Sequence, residues 1–359
     1  MKYTMFWTVS AIASTTLCAF LSHTFVKAAE TQEVTIRFSA MVGDQPFRCG
    51  MSYSLGTPAT PVTPTDFRFY VSEVALIDAN GNAVPVSLQQ DGKWQFQNVA
   101  LLDFEDKSGD CTNGTEDMRD RIIGTVPSGS YKGLKFTLGV PFDLNHADST
   151  LAASPLNLTS LWWNWRGGYK FLRVDLKNAA MAQMPSPGAS EQATAEHHNA
   201  HSRVQPIGQA VPGGHGSHGA AGQGDHHAAP IAQGASGHGA SERGTPGHGA
   251  APGESGFSIH LGSTGCQAAE NNQAPTSCVN PNQVNVVFEN FDLEQNQVVA
   301  DLARLVANSN LQMNQPNTPP GCMSALGDRD CVGVMSSLGL PYEDQSAQQQ
   351  TFFQIKVED

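Results

Sequence analysis

Apolar residues at every second position constrain this chain more than any other feature. Val34, Ile36 and Phe38 share one face of an extended segment, and Phe67, Phe69 and Val71 share one face of another. The pattern returns at Leu134, Phe136, Leu138 and Val140, at Leu172, Val174 and Leu176, at Phe257, Ile259 and Leu261, and at Phe353, Ile355 and Val357. Side chains alternate across a strand, so each run reads as a strand with one buried face. Turn signals such as Asn80-Gly81-Asn82 and Pro127-Ser128-Gly129 punctuate the runs. Many short strands so separated predict an all-β fold, an antiparallel β-sandwich or a barrel-like domain. The one helix expected lies near 298–307.

Two stretches stand outside this pattern. Lys2 precedes an apolar run over 6–20, and Val26-Lys27-Ala28 supplies a small-residue cleavage site, so residues 1–29 read as a secretory signal that leaves with Cys18 and His23. The run is shorter than the ~20 residues a membrane span needs. The mature chain is expected to begin near Ala29 as a soluble protein of a Gram-negative periplasm, with no membrane insertion after cleavage. Residues 182–255 hold no aromatic residue, are dominated by Gly, Ala, Ser and Pro, and contain nine of the twelve histidines. Such a composition cannot bury enough apolar surface to offset its ordering entropy, which predicts a long disordered His-rich insertion. It separates two strands that read as hairpin partners, and loop closure grows costlier only slowly with length. The chain therefore reads as a single β domain built from 30–181 and 256–359, interrupted by 182–255. A two-domain chain is the alternative.

Export determines how the cysteines are read. Cys49, Cys111, Cys266, Cys278, Cys322 and Cys331 form an even set, and thiols pair in oxidising compartments. Short separations favour Cys266 with Cys278 and Cys322 with Cys331, leaving Cys49 for Cys111. The formal net charge of −13 argues against nucleic acid, which rewards basic surfaces, and suits attraction of cations.

Outside the signal and the insertion only two histidines remain. His146 lies in the polar loop Pro141-Phe142-Asp143-Leu144-Asn145-His146-Ala147-Asp148, just after a strand. His260 sits between Ile259 and Leu261, which point to the core, so its imidazole is expected on the solvent side of the sheet. Between them, 161–171 gathers three of the five tryptophans, Trp162, Trp163 and Trp165, within four positions. Alternation places Trp163 and Trp165 on one side and Trp162 on the other. Such rings either fill a core or line a site. Within the insertion, His197-His198 and His226-His227 form a compositional signal for weaker metal binding.

The blocks that carry these residues resemble the MbnP family, also called the metallo-mystery pair or four-Cys family, and the related CorA-type copper proteins. The resemblance runs through Phe47-Arg48-Cys49-Gly50, Asp66-Phe67-Arg68-Phe69-Tyr70-Val71-Ser72 and Leu101-Leu102-Asp103-Phe104-Glu105-Asp106 with Cys111. It continues through Gly139-Val140-Pro141-Phe142 with Asn145-His146, the WxWxxGYKF stretch from 163 to 171, and His260-Leu261-Gly262-Ser263-Thr264-Gly265-Cys266. These blocks keep one order over most of 33–300. The His-rich insertion and the region past Cys322 lie outside it.

The resemblance implies a mononuclear copper site, for Cu+ or Cu2+, made of two histidines and a tryptophan oxidised to kynurenine. By position these are His146, His260, and Trp163 or Trp165. Opening the indole leaves an aromatic amine able to offer nitrogen, whereas indole itself only donates a hydrogen bond, and imidazole ligates copper well. The oxidant implied is a MauG-related diheme enzyme resembling MbnH, which makes this chain a substrate and not an enzyme. Blue copper needs a thiolate, and the cysteines are better used as bridges. A histidine-brace monooxygenase needs His23 as the first mature residue, and Phe20 suits that cut poorly. No G-x-S-x-G, H-E-x-x-H or phosphate-loop motif is present. The alternative of another class is a structural or adhesive β-sandwich with a weak metal-buffering loop.

Overall fold

The computed structural model describes residues 30–164, 166–178, 256–268, 270 and 273–358. The signal, the insertion with His197, His198, His226 and His227, and Trp165 lie outside the described residues.

The alternating runs form strands, gathered into two sheets. The larger orders Val284–Phe288, Tyr131–Leu138, Thr60–Asp78, Leu172–Lys177, Gly256–Leu261 and Gly321–Cys322. Thr60–Asp78 organises it: its first half pairs with Leu172–Lys177, its second with Tyr131–Leu138, and Val99–Asp103 lines its middle. The smaller sheet orders Phe353–Val357, Asn296–Asp301, Thr31–Val42, Arg121–Pro127 and Ser87–Leu88. Aromatic contacts join the two. Phe38 of the smaller sheet meets Phe69 and Phe136 of the larger edge to face, with centroids 6.2 and 5.7 Å apart, and Phe353 packs on the same pair.

The fold is all-β, as the alternation predicts, but its sheets are mixed and do not close into a barrel. Most pairs are antiparallel. Thr31–Val42 and Asn296–Asp301 run parallel, as do Gly256–Leu261 and Gly321–Cys322. The segment expected to be helical begins instead as strand, with Val298 and Val299 opposite Phe38 and Ser39, because β-branched residues facing a strand partner outweigh a weak helical pattern. Helix is confined to Leu302–Leu305, where the Asp301 side chain caps the Ala303 amide at 2.9 Å. The strands on either side of the insertion pair directly, with Lys177 opposite Gly256.

Three disulfides staple the fold: Cys49–Cys111, Cys266–Cys278 and Cys322–Cys331. Their partners are those the spacing favours. A thiol titration of the mature protein, denatured without reductant, is expected to find no free thiol; two or more per chain would contradict the pairing.

Candidate functional site

On the face of the larger sheet turned away from the phenylalanine core, the strands carry their polar alternates. Register aligns Asp103, Arg68, Arg173 and His260 in one row across four strands, and Asp66, Asp175 and Ser258 in the next. A sequence reading leaves this face wet. The structure corrects it, because parts of 139–170 fold over the row. The Tyr70 hydroxyl donates to the Pro155 carbonyl at 2.9 Å, and the Ser160 carbonyl accepts from Lys170 Nζ and Arg173 Nη1 at 3.0 Å each. His260 is therefore only 7% exposed and does not face solvent.

Buried charges survive only when paired, and Arg68, Arg173 and His260 each have an acidic partner, whereas Asp103 accepts the Glu105 amide at 3.2 Å and its buried Oδ2 has no hydrogen-bond partner. Arg68 grips Asp66 with Nε and Nη2, at 2.8 and 2.5 Å. Arg173 Nε bridges Asp175 Oδ2 at 2.7 Å and Asp66 Oδ2 at 3.0 Å. His260 Nε2 lies 2.8 Å from Asp175 Oδ1. Burial alone would push the Asp175 carboxyl up, but His260 and Arg173 outweigh it and hold the group well below the usual carboxylate range. Burial, helped by the Lys170 and Arg173 cations, outweighs the pull of Asp175 and lowers the His260 pKa from its ordinary value, which favours the neutral ring. A neutral imidazole beside an ionised carboxylate donates from Nε2 and keeps the lone pair of Nδ1 as an acceptor.

Burial pushes the Asp103 carboxyl up to about 8, against the pull of Arg68. The folded chain thus keeps a proton that the unfolded chain releases near pH 4. The unfolded state binds fewer protons in between, so this group costs stability as pH rises from about 4 to about 8. Asp103→Asn is expected to flatten that part of the stability profile, read from urea midpoints across the range. A profile as steep as that of the parent protein would contradict the assignment.

His146 ends the short helix Phe142–Asn145. Its Nε2 lies 3.2 Å from Asn145 Nδ2 and 3.4 Å from Cys278 Sγ, and its ring packs on Phe142 with centroids 4.8 Å apart. Asn145 is a tie point. Its Oδ1 accepts the Tyr169 amide at 2.8 Å, and its Nδ2 reaches Ser263 Oγ at 3.4 Å. The strand Trp162–Asn164 pairs with Gly168–Tyr169. Trp163 lies directly over Gly262, where any Cβ would overlap its ring. Trp162 packs against the core, with its indole nitrogen buried and without a hydrogen-bond partner.

The structure thus brings His146, Trp163 and the end of the His260 strand around the Gly262–Ser263 corner. The immediate neighbours of the two imidazoles differ: a disulfide for His146, Asp175 for His260. Among the described residues, one group of three candidate ligand atoms lies within 4.8 Å of one another, from His146, Cys266 and Cys278. Its sulfurs are bonded to each other, so as they stand they are not thiolate ligands. Sequence reasoning missed Asp66, Arg68, Arg173 and Asp175. The available signal was the opposed order Asp66-x-Arg68 and Arg173-x-Asp175 on two strands.

Comparison with known proteins follows this geometry. The comparison with curated proteins finds no match. Among solved structures, MbnP from Methylosinus trichosporium matches with a TM-score of 0.67 and 24% identity, covering 92% of this chain and 100% of that one. The model of the MbnP family matches residues 31–206, a span that includes the Arg68 pair, His146 and the tryptophan segment. Over residues 31–206 the chain is MbnP-like.

Proposed function

We propose that this chain is a periplasmic copper-binding protein of copper homeostasis, its metal held by His146, His260 and an oxidised tryptophan, Trp163 or Trp165. The observation that carries the reading is the 2.8 Å contact between His260 Nε2 and Asp175 Oδ1. A carboxylate that takes one ring proton fixes the tautomer and raises the basicity of the other nitrogen, the usual arrangement behind a metal-bound histidine. Two imidazoles and an aromatic amine form a nitrogen donor set of the kind copper prefers. The bound metal would supply redox or transfer chemistry, while His146 and His260 hold it and Asp175 orients His260.

The tryptophan would become kynurenine through a MauG-like diheme partner resembling MbnH, with this chain as substrate. The test is intact mass and metal content of the protein from its native periplasm, set beside protein made without such a partner. A mass increment confined to 162–165 and one copper per chain are expected in the first sample. Protein with unmodified tryptophan and no copper from both sources would leave the structural or adhesive β-sandwich as the better reading.

A further inference from the structure

The Cys266–Cys278 bridge differs from the other two in its setting. Cys111, Cys322 and Cys331 are buried, and Cys49, though half-buried, packs against the core. Cys266 and Cys278 are both half-buried, directly opposite each other in the small ribbon of Thr264–Gln267 and Ser277–Asn280. Thiol–disulfide exchange requires a thiolate to reach one of the sulfurs; both are half-buried in this bridge, against one core-packed sulfur in Cys49–Cys111 and none in Cys322–Cys331, so access favours this bridge for reduction. Losing it leaves the ribbon pairings of Thr264 with Asn280 and Gln267 with Ser277. Its sequence separation of 12, against 62 for Cys49–Cys111, also makes its restriction of the unfolded chain the smaller of the two.

His146 Nε2 already lies 3.4 Å from Cys278 Sγ, and the three ligand atoms of His146, Cys266 and Cys278 fit within 4.8 Å. We propose that reduction of this disulfide assembles a second, soft-metal site from Cys266, Cys278 and His146, with Cu(I) as its cation. The choice of cation rests on the copper reading above; the donor set does not. A thioredoxin-like dithiol supplies two electrons and two protons: the Cys266–Cys278 S–S bond breaks, two thiols form, and the dithiol becomes a disulfide. Cu(I) then displaces both thiol protons and binds two thiolates and the neutral imidazole, which exchanges its Asn145 hydrogen bond for the metal. Thiolate donors select Cu(I) over harder cations. The bridge is thus a lock on a site whose third ligand is in place.

The experiment uses the full mature protein, without oxygen, before and after a limited dithiothreitol treatment. Alkylation and peptide mass mapping identify the opened bridge, and Cu(I) titration against a competing chelator counts sites. Two thiols at Cys266 and Cys278, and one added Cu(I) equivalent with thiolate-to-copper absorption in the ultraviolet, are expected. Alkylating the released thiols, or Cys266→Ser with Cys278→Ser, removes that equivalent, and His146→Ala weakens it at least about tenfold. His260→Ala leaves it intact while removing copper from the oxidised protein, so the two sites fail separately. Opening of another bridge first, no added equivalent after reduction, or its survival after alkylation overturns the proposal.

Discussion

His260→Ala is expected to weaken the tightest copper equivalent of the oxidised protein by more than about 100-fold, beyond the loss that removing a mere outer-shell partner causes. Asp175→Asn tests the same arrangement one step out. It keeps the shape but cannot hold the Nε2 proton as a carboxylate does, and about 10- to 100-fold weaker binding is expected. Removing 183–253 and joining the ends is expected to spare this equivalent, because Lys177 and Gly256 are already opposite each other and a short turn closes the hairpin. Preorganised ligands lose less entropy on binding than tethered ones, so the insertion contributes only weaker equivalents. Competition titration with a chelator of known affinity reads all three variants. Full affinity in a His146→Ala, His260→Ala double variant would move the site into the insertion.

The second large effect is on stability. Arg68 and Asp66 are 1% and 0% exposed, and Arg68→Met removes the two contacts that pair the Asp66 carboxylate in the covered row. Breaking a buried pair from one side typically costs about 3–5 kcal/mol. Arg173 Nε remains 3.0 Å from Asp66 Oδ2, but it already serves Asp175, so it offsets only part of the loss. Removing both charges, with Asp66→Asn beside Arg68→Met, is expected to cost less than the sum of the single changes. Urea unfolding followed by circular dichroism measures these differences. A loss under about 1 kcal/mol for Arg68→Met would show the row to be wetter than its packing implies.

The sheets and their staples were legible because they follow local rules. Phe67 and Phe69 alternate with Asp66 and Arg68, and the core takes the phenylalanines. Cysteine spacing was enough to pair Cys266 with Cys278 and Cys322 with Cys331. The covered outer face was not legible. Period-two reading assigns Arg68, Arg173 and His260 to solvent, and it fails when an irregular segment such as 139–170 folds back on the sheet, since that segment carries no period of its own. The place of His146 was hidden for a related reason. Its neighbour Cys278 comes from a ribbon far along the chain, and no local pattern links a loop histidine to a distant cystine. Parallel pairing was also invisible, because alternation fixes which face a residue takes and says nothing of the direction of its neighbour.

The parallel pair has a consequence for synthesis. Phe38, near the start of the fold, is opposite Val298, and Val298 in turn is opposite Ile355 near its end. Contacts between such distant positions form late, after the chain has closed its largest loops. A ribosome or export channel delivers residues from the N-terminus, so the strand edge from Phe38 to Met41 waits unpartnered until Asn296–Asp301 emerges more than 250 residues later. Nascent chains stopped short of Asn296–Asp301 would present that edge to proteases and chaperones, so the checkpoint for a sealed core comes late in synthesis.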